Sequence, residues 1–428
     1  MNLLSADKFL RPGTLRLGAP PPLSVYVHLP WCLKKCPYCD FNSHEFRGPQ
    51  TSSASAAPAR APVLMRPEGG SVAGRPHRDL PEQQYLDALR ADLEASLPLV
   101  WGRTVQTVFI GGGTPSLFSP AGIERLLSDL RSLLPLAPGC EITMEANPGT
   151  FERERFRAFH AAGVTRLSIG VQSFNDEKLK ALGRVHDRAQ ALAAIEEAAS
   201  TFDTFNLDLM YALPGQTLDE LELDVRTALG FQPPHLSLYH LTLEPNTAFA
   251  VRPPVLPDED TSAMMLDRLV ELTGEAGLQR YEVSAYAKPG HRCAHNLNYW
   301  QFGDYLGIGA GAHGKLSFPH RVLRTVKWRE PARYMAEAIA GRASSNEDEV
   351  ARKALPFEFM LNVLRLRDGF EEALFGERTG LPPSAIAAGL KTAHDKGLLE
   401  TLSGPSGPVI RPTTLGFDFL SDLQEIFL

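Results

Sequence analysis

The chain is predicted to be an α/β protein: a largely parallel sheet covered by helices, followed by a smaller helical unit that ends in a hairpin. Six apolar, β-rich runs (23–29, 104–110, 140–145, 166–171, 205–209 and 235–241) each lead into a stretch of helical period. Near-continuous apolarity within these runs means that both faces are covered, as in a parallel sheet of βα units. Beyond about residue 347 the texture changes to short helices and two short strand-like runs around the turn Gly404-Pro-Ser-Gly407.

Taken in order, the six runs alternate with helical segments at 82–96, 121–134, 151–162, 188–199, 218–230 and 261–275, several opened by Ser, Thr, Asp or Pro. Either a partial barrel or an open doubly wound sheet satisfies this pattern, and both place a site at the C-terminal ends of the strands. Residues 1–22 read as an N-terminal arm and 23–315 as the sheet domain. Within that domain, 48–78 is an insert rich in Ala, Ser, Pro and Gly with too little apolar surface to offset its ordering entropy. A connecting segment is expected at 316–346, then helices at 350–364, 370–375 and 382–396 and strands at 398–402 and 408–411, an arrangement resembling a winged helix.

A chain of 428 residues with 43% hydrophobic content can bury a large core divided over two or three domains. Its net charge of −7 gives no overall attraction to nucleic acid, and the stretch 384–396 carries only Lys391, His394 and Lys396 against Asp395. A nucleic-acid partner, or a tRNA-modifying role for the winged helix, is therefore not expected. The start of the chain lacks a signal-peptide pattern and no segment approaches 18 uninterrupted apolar residues, so a cytoplasmic location is expected.

The strongest chemical signal is Cys32, Cys36 and Cys39 in the run His28-Leu-Pro-Trp-Cys-Leu-Lys-Lys-Cys-Pro-Tyr-Cys-Asp-Phe41. Three thiolates this close, on a loop that Pro30 and Pro37 keep from becoming a regular helix, can converge on one soft metal centre. Structural zinc would need a fourth ligand, usually from a second pair, and none is present. Disulfide use is disfavoured because the total of five cysteines is odd and Cys140 and Cys293 stand alone. An iron–sulfur cluster held by three cysteines keeps one iron open to an exchangeable ligand.

Gly111-Gly-Gly-Thr-Pro115 follows the second strand, where backbone N–H groups can approach a ligand without a Cβ in the way; a plain tight turn is the bland alternative. Glu145, Gln172 and Asp208 lie at or near the ends of later strands and form a polar rim, although each one alone could be a satisfied buried group. Arg184 offers a planar fork to a carboxylate, or is a surface arginine. In His295-Asn-Leu-Asn-Tyr-Trp300 an imidazole able to ligate haem iron stands beside the flat faces of Tyr299 and Trp300. An ordinary aromatic cluster is the alternative there, and Cys293 is either a further ligand or a lone buried thiol.

The spacing C-x3-C-x2-C with Tyr38 before the third cysteine resembles the radical S-adenosylmethionine (SAM) signature. With Tyr26-Val-His-Leu-Pro-Trp-Cys32, Met144-Glu-Ala-Asn-Pro148, Ser168-Ile-Gly-Val-Gln-Ser-Phe174, Asp208-Leu-Met-Tyr-Ala-Leu-Pro-Gly-Gln216 and the run from His295 to Trp300, nearly the whole chain resembles the HemW haem chaperones, relatives of the oxygen-independent coproporphyrinogen III oxidase. The resemblance implies a radical SAM partial (β/α)6 barrel with a C-terminal winged-helix-like helical domain. It implies a [4Fe-4S] cluster on Cys32, Cys36 and Cys39, and SAM contacts at Tyr26, Tyr38, Gly112, Gly113, Thr114, Glu145, Gln172, Arg184 and Asp208. It further implies haem at His295, with Asn296, Tyr299 and Trp300 in the same motif. The expected role is carriage of haem to acceptor proteins, those of the respiratory chain among them, with room for a homodimer and for transient membrane contact. No residue is assigned a catalytic role. Phe41 stands where the oxidase carries a further cysteine, and the N-terminal arm is shorter, which both argue against decarboxylation of coproporphyrinogen III, the alternative function.

Overall fold

A computed structural model of the chain describes residues 15–46, 80–149 and 155–428. The insert 48–78, most of the N-terminal arm and the start of the segment 151–162 lie outside the described residues. Among those residues one sheet has twelve strands. Its middle is a parallel block in the spatial order Asp304–Ile308, Leu23–Leu29, Val105–Gly112, Leu136–Ala146, Arg166–Gln172, Thr204–Tyr211 and His235–His240. The six strands expected from apolar runs are therefore neighbours in chain order, with no reversal. A doubly wound sheet needs such a reversal, whereas right-handed crossovers in one direction keep the helices on one outer face and curl the sheet into a partial barrel.

The helices Glu82–Val100, Pro120–Leu133, Arg188–Thr201, Leu218–Gly230 and Glu259–Glu275 cover that outer face, several fixed at their starts by side-chain caps. Asp187 and Thr217 each close a capping box, and Ser119 and Asp258 accept from the first turn. Leucine, valine and isoleucine from the strands and helices join in one buried core. The opposite, concave face is lined by alternate residues of each strand and forms a bore.

The segment read as a connection adds strands to this sheet. His313–Phe318, Arg321–Lys327 and Ser344–Glu349 extend it antiparallel beyond Asp304–Ile308, while Ala285–Ala287 and Gln279–Arg280 extend the other edge. Apolar periodicity missed His313–Phe318 and Arg321–Lys327 because each buries a lysine; Lys315 donates to Asp304 at 3.1 Å and Lys327 to Asp92 at 2.6 Å.

At the C-terminus a second core joins the helices Leu355–Val363, Ala373–Thr379 and Ala387–Asp395. The hairpin of Leu399–Ser403 and Pro408–Pro412 pairs with Phe370–Glu371, so the run expected as a helix at 370–375 begins as a strand. Phe302 and Val322 of the sheet domain and Leu15 of the arm belong to this second core and dock the two units.

Candidate functional site

The bore opens into a cavity of about 500 Å³, a size that takes one drug-sized ligand. Of the residues singled out in the sequence, Cys32, Cys36, Tyr38, Cys39, Gly112, Gly113, Thr114, Glu145, Gln172, Arg184, Asp208, His295 and Asn296 line it. Chain segments separated by up to 264 positions thus meet around one space.

The upper end, at the C-termini of the strands, is formed by the cysteine loop. All three thiols are free and half-buried. Each sulfur has polar neighbours, among them Thr114 Oγ1, which donates to Cys32 Sγ at 3.5 Å, Arg184 Nη1, which donates to Cys36 Sγ at 3.7 Å, and Ser43 Oγ, 3.7 Å from Cys39 Sγ. Burial, offset in part by Thr114, pushes the Cys32 thiol up to about 11. The loop is seated on the glycine run. Gly113 N–H donates to Leu29 O and Thr114 N–H to Trp31 O, both at 2.8 Å. A Cβ at Gly113 would stand 2.6 Å from Trp31 O, and one at Gly112, where φ is +116°, would stand 2.6 Å from the His28 ring. His28, held neutral by burial with a pKa of about 4, donates from Nε2 to Asn42 O at 3.0 Å and accepts at Nδ1 from Tyr26 O–H at 2.7 Å. The chain beyond the third cysteine is therefore tied to the first strand from below.

Arg184 is anchored by Asn147 Oδ1 at 2.7 Å and Gly170 O at 2.8 Å, and Asn147 Nδ2 also donates to Thr114 at 3.0 Å. Gln172 adopts φ +66° at the end of its strand, next to an irregularity in the ladder, an unusual conformation for a non-glycine residue. Two carboxyls face the same space. Burial, then the charge of Asp208, raises Glu145 to about 7 against one relieving N–H from Gly112 at 3.0 Å. Burial also raises Asp208, although Ser168 and Asn206 donate to it at 2.9 and 2.8 Å.

The lower end is closed by the helix Ala294–Trp300. Asn298 Nδ2 bonds Ser24 Oγ at 2.8 Å and Asp304 O at 2.9 Å, plugging the bore beneath the first strand. His295 is 6% exposed and stacks on Phe109 with ring centroids 4.2 Å apart. Its Nδ1 lies 3.3 Å from Glu141 Oε1, which also accepts from the His295 N–H at 3.1 Å. Nδ1–H given to a carboxylate leaves Nε2 as the acceptor nitrogen, with Cys293 Sγ 3.5 Å from it, and burial keeps the ring neutral by lowering its pKa. Cys293 Sγ sits 3.0 Å from His295 Nδ1 and 3.7 Å from Glu141.

Three expected site residues are placed outside the cavity. Tyr26 bonds His28 and stacks on Phe109 at 5.6 Å, behind the lining. Tyr299 packs on Tyr305 at 4.4 Å, and Trp300 lies beneath the Arg365 guanidinium of the C-terminal unit at 4.1 Å. Trp300, five positions after His295, is turned to the other side of this two-turn helix and is used at the junction between the units, whereas Tyr299, at i+4, shares the side of His295 but packs against the neighbouring strand. Sequence reasoning missed Asn147, Glu141, Thr143, Arg166, Ser168, Asn206, His235 and Ser237. The available signal was a period of two in polar residues, Arg166-x-Ser168-x-Gly170-x-Gln172 and Asn206-x-Asp208, which marks the face turned into the bore.

With this geometry in hand, the chain matches two family models: the Radical SAM superfamily over residues 26–228 and the HemN C-terminal domain over 350–404. It is 45% identical over 410 residues to the heme chaperone HemW of Escherichia coli K12, covering 95% of this chain and 98% of that one. Identity to the heme chaperone HemW of Haemophilus influenzae is 43% over 414 residues (95% and 98%), and to that of Mycobacterium tuberculosis H37Rv 36% over 391 residues (90% and 92%). Among solved structures, coproporphyrinogen III oxidase (HemN) from Escherichia coli, described as a radical SAM enzyme, superposes with a TM-score of 0.73 at 23% identity, covering 95% of this chain and 90% of that chain, and shows the shared fold. No helix among the described residues is long and apolar enough to cross a membrane. Sequence identity over nearly the full length, the radical SAM barrel and the C-terminal unit agree: the chain belongs to the HemW family of the radical SAM superfamily.

Proposed function

We propose that the chain binds haem and passes it to acceptor proteins, and that Cys32, Cys36 and Cys39 hold a [4Fe-4S] cluster to which SAM binds. The observation that carries this reading is one cavity with three free thiols at one end and, at the other, a neutral imidazole whose Nδ1 is engaged by a carboxylate. The donor set fits the cluster: three sulfurs on one loop, each beside an O–H or N–H group, as sulfur ligands of iron–sulfur centres are. The open iron would supply a binding place for the amino and carboxylate groups of SAM. Gly112, Gly113, Thr114, Glu145, Gln172, Arg184 and Asp208 surround that place, with Arg184 suited to an anion and the Glu145–Asp208 pair to a cation. His295 is the haem-ligand candidate, and Glu141 orients its ring. Acceptors in the respiratory chain, a homodimer, a cytoplasmic location and transient membrane contact belong to the same proposal.

Haem titration of the reconstituted chain beside His295→Ala tests it: the wild type shifts the Soret band and the variant loses that shift. Equal affinity with an unchanged Soret band in the variant removes His295 as ligand. Supplied with SAM, dithionite and coproporphyrinogen III, the chain is expected to yield no protoporphyrinogen IX; turnover would make it an oxidase.

A further inference from the structure

Two buried donors in the lower half of the bore have no acceptor among the described residues. Arg166 is 3% exposed and Thr143 1% exposed; they are register partners on adjacent strands, and both line the cavity. Arg166 Nε donates to Glu141 Oε2 at 3.0 Å, and Nη2 to the carbonyls of His291 and Arg292 at 3.0 and 3.4 Å. Nη1 is left without a partner among the described residues, and so is Thr143 Oγ1. A buried donor with no acceptor costs about 1–3 kcal/mol, so two such donors on register-paired residues of the cavity wall mark a place where a ligand oxygen belongs. A guanidinium N–H beside a hydroxyl matches the two oxygens of a carboxylate. Neighbouring groups do not compete for the role: His235 is closed off by Asn206 at 2.7 Å and Tyr281 at 2.9 Å, and the oxygens of Glu141 are engaged by Arg166 and His295.

We propose that Arg166 and Thr143 form a carboxylate subsite deep in the bore, and, resting on the haem-binding reading above, that its occupant is a haem propionate. The SAM carboxylate has the same chemistry, but Arg184 stands beside the cysteines at the opposite end. The subsite accounts for the placement of a cation at the foot of a strand, behind the residues that face the cluster loop.

The test compares haem with haem dimethyl ester, whose propionates are esterified, by Soret titration of the reconstituted chain, Arg166→Gln and Thr143→Val. Wild type is expected to favour the free acid by about 10- to 100-fold, the range of a charge-assisted hydrogen bond. Arg166→Gln should abolish that preference and Thr143→Val reduce it by about fivefold, with the affinity for SAM unchanged in both. Arg166 also ties down the 291–292 turn, so Thr143→Val, which removes only a hydroxyl, keeps the test decisive if the arginine variant fails to fold. Wild type that binds acid and ester equally, or a drop in SAM affinity instead of haem affinity, overturns the subsite alone. Wild type that binds neither porphyrin overturns the functional reading as well.

Discussion

Glu141 and Glu145 stand four residues apart on one strand, both turned toward the bore, yet their chemistry is opposite. Burial alone would raise both. At the lower end the hydrogen bond from His295 and the charge of Arg166 outweigh it, and Glu141 is held down to about 2. At the upper end Asp208 adds to burial, only Gly112 relieves it, and Glu145 rises to about 7. The partnered carboxylate is part of the fold's own bonding. The under-partnered one marks a place where the positive charge of a ligand completes the site, which is how buried titratable groups separate structure from function.

The sharpest way to break the comparison is at the cysteines. Cys32→Ala, Cys36→Ala or Cys39→Ala should abolish iron and sulfide incorporation, measured after anaerobic reconstitution, and leave the unfolding midpoint close to wild type, since the loop lies at the surface of the barrel's upper end. Retention of stoichiometric iron in any of them would separate the thiols from the cavity's purpose.

The two glutamates should then show opposite pH dependence. With its folded pKa depressed from 4.5 to about 2, Glu141 contributes stability above pH 4.5 that is lost as pH falls toward 2. A displacement of that size corresponds to at most about 3 kcal/mol. Glu145, raised from 4.5 to about 7, does the reverse: it weakens the fold as pH climbs from 4.5 through 7, by a similar upper bound of about 3 kcal/mol. In urea unfolding, Glu141→Gln should destabilise the chain at pH 7 and flatten the acid limb. Glu145→Gln should stabilise it at pH 8 while weakening SAM binding. Parallel pH profiles for the two variants would erase the distinction.

Gly113→Ala comes next. The added methyl meets the Trp31 and Pro30 backbone at 2.6–2.8 Å, so a loss of about 1–3 kcal/mol is expected, with lower iron loading because the cysteine loop shifts. The smallest effect belongs to Trp300→Phe: loss of about 0.5–1 kcal/mol of cation–π stacking on Arg365, with haem affinity unchanged. A large drop in haem affinity would return Trp300 to the binding site.

Much of the upper end was legible because its chemistry is local. Cys32, Cys36 and Cys39 fall within eight residues, Gly112 to Thr114 are contiguous, and the apolar runs before Glu145 and Gln172 announce the strands that carry them. Of the lower end only His295, in its motif, was. Glu141, Thr143 and Arg166 come from two strands, and each alone is compatible with an ordinary buried polar group. Tyr299 and Trp300 lie outside the cavity although their motif holds His295: Trp300, at i+5, is turned to another face of the helix, and Tyr299, at i+4, is taken up by Tyr305.

The sequence by itself determined the order of the six core strands and their helices and the thiol triad, because these depend on periodicity and short-range spacing, and its motifs carried the resemblance to the family. Only the tertiary structure decided that the triad and His295 occupy opposite ends of one bore, which aromatic residues face it, and which buried charges are paired. Those depend on barrel register and curvature, which bring together side chains more than a hundred residues apart, and no local pattern encodes that meeting.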